Sequence, residues 1–142
     1  MNEEERWAYI NALDERLLRG GVILSEWCSF IVCEADKAFV ANANLAAIVT
    51  ALAGVETYLR SEYSPGEKRT LFDIVEAAPL DVELKQAIHT LRKYRNRWVH
   101  VADPTDDADL LVDPEKYETE LNRMASSSIE TLRRVIYENQ PI

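Results

Sequence analysis

The segment from Arg95 to His100 reads Arg-Asn-Arg-Trp-Val-His and combines side chains that suit the cleavage of RNA by its own 2′-hydroxyl. That reaction needs a base for the hydroxyl proton, an acid for the departing 5′-oxygen and positive charge for the phosphorane. Histidine suits both proton transfers near neutral pH. We therefore expect His100 to transfer protons, Arg95 to supply charge, and Asn96 to orient the imidazole ring or the phosphate.

Positive charge is concentrated around this segment although the chain as a whole is acidic. The formal net charge of -9 argues against a surface for non-specific duplex binding, which depends on lysine and arginine. Locally, however, Arg92, Lys93, Arg95 and Arg97 place four cations within six residues. We expect Arg97, Arg92 and Lys93 to contact substrate phosphates.

The position of Arg95 on its helix predicts that its guanidinium has a specific partner. At 100° per residue, Arg95 falls in the middle of an apolar stripe that includes Leu84, Ile88 and Leu91. A buried guanidinium is costly unless a carboxylate, carbonyls, a wet interface or a ligand phosphate meets it. If Arg95 is structural, Glu56 on the preceding long helix is the candidate partner.

A single chain lacks one of the two proton-transfer groups. The only other histidine, His89, lies 11 residues earlier on the same helix, about 16 Å along its axis. Two-fold pairing of chains would bring two copies of His100 to one cleft. The mechanism therefore predicts a homodimer, with no metal and no cofactor.

The apolar periodicity predicts an all-α fold, an up-and-down antiparallel bundle of about five helices in one domain spanning residues 1–142. The long helices are expected at about Glu3–Arg19, Ile23–Ala41, Asn44–Glu62, Val82–Val99 and Glu115–Glu138. A short helix is expected at Leu71–Ala77. Asn42 to Asn44 and Asp81 are the predicted caps of the third and fourth long helices.

Composition limits the cellular setting. No apolar run approaches the ~20 residues of a membrane span, and the acidic start at Glu3 does not resemble a secretory signal, so we expect a cytoplasmic protein without a membrane partner. Cys28 and Cys33 have no further ligands around them and are predicted to be buried free thiols.

The segment from Leu91 to His100, closing a helix of a compact bundle, resembles the motif of HEPN ribonucleases: Arg, four to six residues, then His, with a polar residue after the Arg. The resemblance covers roughly Asn44 to Val101. It implies that Arg95 and His100 are the catalytic pair and Asn96 the polar companion. It also implies a metal-free homodimer with the motifs facing across the interface. A role in toxin–antitoxin, phage-defence or RNA-processing systems, with an antitoxin or other protein partner, is implied as well.

Other interpretations remain open at this stage. The same bundle could be a non-catalytic module that binds a nucleotide or a protein. Trp7, Trp27 and Trp98 could stack on bases, but their positions favour core packing. The acidic loop from Asp103 to Asp113 could hold Mg²⁺ through Asp106, Asp107 and Asp109, but a solvated loop is the stronger interpretation.

Overall fold

The computed structural model describes residues 1–100, 110 and 112–140, and this part of the chain contains six α-helices and no β-strand. The all-α prediction is therefore confirmed. Five helices are long and one has seven residues. They are α1 (Glu3–Leu17), α2 (Glu26–Val40), α3 (Asn44–Tyr63), α4 (Leu71–Ala77), α5 (Val82–Val99) and α6 (Pro114–Ile136).

Helix α3 lies at the centre of the fold and contacts α2, α4, α5 and α6. Its closest approach to α6 depends on Gly54, because a Cβ atom built there would lie 2.9 Å from Cδ1 of Leu132. Real Cβ contacts are longer, so the absence of a side chain lets the two helices pack at this distance. Helix α5, which carries the candidate motif, contacts both α3 and α6.

Local capping sets several helix ends. The prediction for Asp81 is confirmed, since its Oδ1 accepts a hydrogen bond from the Leu84 amide at 2.8 Å and starts α5. The start predicted for α2 at Ile23 is wrong. That helix begins at Glu26, because the Ser25 hydroxyl accepts from the Cys28 amide at 3.1 Å and serves as its cap.

The asparagines before α3 bind a buried arginine rather than capping the helix. Arg6 is fully buried, and its Nη1 donates to the Phe39 carbonyl at 2.8 Å and to Oδ1 of Asn44 at 2.9 Å. Its Nη2 donates to Oδ1 of Asn42 at 2.7 Å and of Asn122 at 3.0 Å. The predicted asparagine cap is therefore wrong, and α3 begins without a side-chain cap. These neutral oxygens accept the hydrogen bonds of the guanidinium. Burial lowers the pKa of Arg6.

Candidate functional site

The packing of α5 fixes which residues can form a site. Leu84, Ile88, Leu91 and Tyr94 are buried against the rest of the bundle, and Trp98 packs edge-on against Tyr94 with ring centroids 6.4 Å apart. Trp98 therefore attaches the last turn of the helix to the core. His100 is the C-cap residue, and its backbone amide donates to the Asn96 carbonyl at 3.0 Å.

Four of the predicted site residues lie along one side of this helix end. Asn96 and Arg97 follow Lys93 by three and four residues, and His100 follows them by four and three, the spacing that places side chains on one side of a helix. Lys93, Arg97 and His100 are exposed, while Asn96 is half-buried. The spacing therefore puts two cations and an amide on the side of α5 that leads to His100 at its C-terminal end, and we call these four residues the motif face.

Arg95 joins this group through its side chain. Its backbone position points toward the packed side of α5, yet its Nε and Nη2 donate to Oδ1 of Asn96 at 3.2 and 3.0 Å. Two donors on one acceptor hold the guanidinium beside Asn96 in a defined orientation. The half-buried Arg95 is therefore placed next to the motif face rather than in the core.

Glu56, the candidate partner for a structural Arg95, pairs with a different arginine in the structure. The Oε1 atom of Glu56 accepts from Nη2 of Arg60 at 3.0 Å, one turn further along α3. Such i,i+4 pairs form readily because both side chains leave the helix on one side. Sequence reasoning missed this local competitor for the carboxylate.

Arg92 lies apart from the motif face. Its guanidinium carbon sits 5.4 Å from the centre of the Phe72 ring, so the side chain packs against α4. His89 also packs against α4. Its Nε2 lies 2.7 Å from Oε1 of Glu76, and its ring centroid lies 4.9 Å from that of Phe72. Of the three predicted phosphate-binding residues, only Lys93 and Arg97 have the spacing that places them on the side of α5 leading to His100.

A cavity of about 350 Å³ opens between α5 and α6 beside the motif face. Lys93, Tyr94 and Arg97 line it from α5, and Glu120 and Arg123 line it from α6. Sequence reasoning missed Tyr94, Glu120 and Arg123 as site residues. Tyr94 was interpreted as a core residue of the apolar stripe. The two α6 residues are distant in sequence, and their proximity to α5 follows only from how the two helices pack.

Two of the three tryptophans are not core residues. Trp7 is 43% exposed and Trp27 is 70% exposed, so the predicted core packing is wrong for both. Trp98 is partly buried against the core, as predicted.

Of the two cysteines, Cys28 is buried as predicted, whereas Cys33 is exposed. The two cysteines are five positions apart, which puts them on different sides of α2.

The described residues show neither a cluster of metal ligands nor a membrane-spanning helix. No group of three or more metal-ligating side chains occurs there, and none of the helices described combines the length and apolarity of a membrane span. The loop aspartates Asp106, Asp107 and Asp109 lie outside the described residues, as does most of the acidic loop from Asp103 to Asp113.

Comparison of the chain with protein-family models, curated proteins and solved structures gives no match. The functional assignment must therefore come from the chemistry of the motif face.

Proposed function

We propose that this chain is a metal-independent endoribonuclease of the HEPN type, which acts as a homodimer and cleaves RNA by attack of the 2′-hydroxyl. The observation that supports the proposal is the motif face: Lys93, Arg97 and His100 are exposed at the end of α5, and two hydrogen bonds hold the Arg95 guanidinium beside Asn96. A phosphodiester there would meet a proton-transfer group and fixed positive charge together.

The chemistry assigns a role to each residue. One copy of His100 takes the proton from the 2′-hydroxyl as its oxygen forms a bond to phosphorus. The second copy's His100 protonates the 5′-oxygen as the bond from phosphorus to that oxygen breaks. Arg95, oriented by Asn96, stabilises the charge on the phosphorane. The products are a 2′,3′-cyclic phosphate and a free 5′-hydroxyl.

The homodimer follows from the number of histidines. Within one chain, His89 cannot assist because its ring is packed on Phe72 and its Nε2 contacts Glu76. Two-fold pairing through the exposed end of α5 would supply the second imidazole from an identical surface. An enzyme of this kind damages cellular RNA, which fits a toxin or phage-defence effector restrained by an antitoxin or another protein partner.

The test is RNA cleavage by the purified protein in excess EDTA, with the product ends identified by mass spectrometry. We expect 2′,3′-cyclic phosphate ends from the wild type and no cleavage by His100→Ala. Strict dependence on Mg²⁺, or products with 5′-phosphate ends, would overturn the mechanism. Binding of RNA or nucleotides without any cleavage would favour the alternative, a non-catalytic nucleotide- or protein-binding module.

A further inference from the structure

Helix α2 carries two large aromatic side chains on its solvent side. Trp27 is 70% exposed and Phe30 is 63% exposed, while the opposite side of the helix is buried through Cys28 and Phe39. Ile23, just before the helix, is also exposed and extends the apolar surface. Exposed apolar patches on a folded domain commonly mark a surface that binds another protein chain.

Two charged residues continue the line of these aromatic side chains along α2. At 100° per residue, four residues fall within about 80° of one another, and we call them the α2 stripe: Trp27, Phe30, Glu34 and Lys37. The N-terminal half of the stripe is aromatic. The C-terminal half is charged, with Oε1 of Glu34 3.6 Å from Nζ of Lys37. Glu26, exposed in the first turn, lies at the edge of the stripe beside its aromatic end.

A surface with unlike ends fits a second copy of itself when the two α2 helices run antiparallel. A two-fold axis midway along the stripe would set Trp27 beside the second copy's Lys37. The same axis would set Phe30 beside the second copy's Glu34. The Lys37 ammonium can then bind the face of the indole ring, and the methylene groups of the charged side chains can cover the aromatic rings.

The charges of α2 also favour this antiparallel orientation. Glu26 would lie near the second copy's Lys37, so that opposite charges meet at each end of the contact. A parallel orientation would instead place Lys37 against Lys37 and Glu34 against Glu34, and like charges in contact are unfavourable. The stripe is therefore self-complementary in one orientation only.

We propose that the α2 stripe is a self-association surface, through which two copies of this chain pair with their α2 helices antiparallel. The stripe lies on a different helix from the motif face, so this pairing does not depend on the proposed cleavage of RNA. Four side chains from each copy form a small contact, and we expect an association that is reversible at protein concentrations on the order of micromolar.

Sedimentation velocity of the full chain over a range of concentrations measures this association. We expect the wild type to associate reversibly. Trp27→Ala should weaken the association at least about tenfold, since a large aromatic side chain within a contact carries much of its binding free energy. Trp7→Ala removes a tryptophan that is also exposed but lies on α1, so it is the matched control and should leave the association unchanged.

Charge reversal tests the antiparallel orientation. Lys37→Glu should weaken the association about tenfold, because the new carboxylate would meet the second copy's Glu26. The double variant Glu26→Lys, Lys37→Glu should restore most of it. These two positions lie 11 residues apart on one helix, about 16 Å, so the restored contact must join two chains. Lys68→Glu makes the same change of charge at an exposed position outside α2 and is the control.

A wild-type protein without concentration-dependent association would overturn the proposal, and so would an association that Trp27→Ala or Lys37→Glu leaves unchanged. These outcomes are separate from those for the nuclease. Association that depends on Trp27, in a protein that cleaves no RNA, supports the α2 stripe and removes the nuclease. RNA cleavage by a protein whose association is the same in Trp27→Ala supports the nuclease and removes the α2 stripe.

Discussion

The Oδ1 atom of Asn96 accepts two hydrogen bonds from the Arg95 guanidinium, at 3.2 Å from Nε and 3.0 Å from Nη2. This contact explains why a polar residue directly after the arginine matters to the proposed site. Arg95 leaves the helix on its packed side, and the two hydrogen bonds hold its guanidinium beside Asn96, one turn before His100. Asn96 is therefore a positioning residue for the positive charge.

Removal of the Asn96 amide should lower cleavage more than stability. In Asn96→Ala the guanidinium loses its fixed orientation, and we expect kcat to fall by about tenfold while KM changes little, since the charge remains but is poorly placed. Gln86→Ala, an exposed position on the same helix, is the control. An unchanged kcat in Asn96→Ala would contradict the positioning role.

The two histidines should separate catalysis from stability. His100 is exposed, so His100→Ala should leave the unfolding free energy within about 0.5 kcal/mol of wild type while reducing cleavage by at least about 100-fold. His89→Ala should do the opposite, because that ring packs on Phe72 and contacts Glu76. We expect a loss of about 1 to 2 kcal/mol with cleavage retained. Urea unfolding and RNA cleavage measured on both variants provide the comparison, and a reversed pattern would remove His100 from the site.

The contact between α3 and α6 should be sensitive to a single methyl group. In Gly54→Ala the new Cβ would meet the Leu132 side chain at 2.9 Å, so we expect destabilisation of about 1 to 3 kcal/mol in urea unfolding. Gly21→Ala is the matched control, since no atom lies within 4 Å of its Cβ position. Equal stability of the two variants would show that the helices separate at little cost.

Alkaline pH should destabilise the fold through buried tyrosines. Burial raises the pKa of Tyr9, Tyr58, Tyr94 and Tyr137 above the ordinary value of about 10. The stabilising effect of these neutral tyrosine hydroxyls is complete below pH about 10. It is lost as the pH rises further, because the unfolded chain releases these protons first. Tyr137→Phe should reduce the steepness of this loss in urea unfolding followed from neutral to alkaline pH, and an unchanged slope would contradict the assignment.

Much of the fold could be predicted from the sequence because local patterns determine it. The apolar spacing and the Asp81 cap specify α5 from Val82 to Val99, as the structure has it. Side-chain partners were less predictable. The sequence offers Glu56 as a partner for Arg95, but in the structure Glu56 forms an ion pair with Arg60, one turn away on the same helix. Trp27 lies on an apolar stripe in the sequence, yet the packing of α2 leaves it 70% exposed.

The candidate site also contains residues that the sequence predicts and residues that it does not. Sequence spacing linked Lys93, Arg97 and His100, since the first two lie on α5 and His100 caps its end. The cavity required Glu120 and Arg123 from α6, which are distant in sequence and become neighbours of Lys93 only through helix packing. A single sequence contains no direct signal for such a pairing.

The central claim is that two copies of His100 act in one active site, and a tagged heterodimer of wild-type and His100→Ala chains tests it most directly. Purified through two different tags, this heterodimer contains one imidazole at the site instead of two. We predict that the wild-type homodimer cleaves RNA in EDTA and that the heterodimer falls to the level of the His100→Ala homodimer, because either the acid or the base is missing. A heterodimer that keeps about half of the wild-type rate would contradict the shared site, and a wild-type protein that cleaves no RNA would contradict the ribonuclease assignment itself.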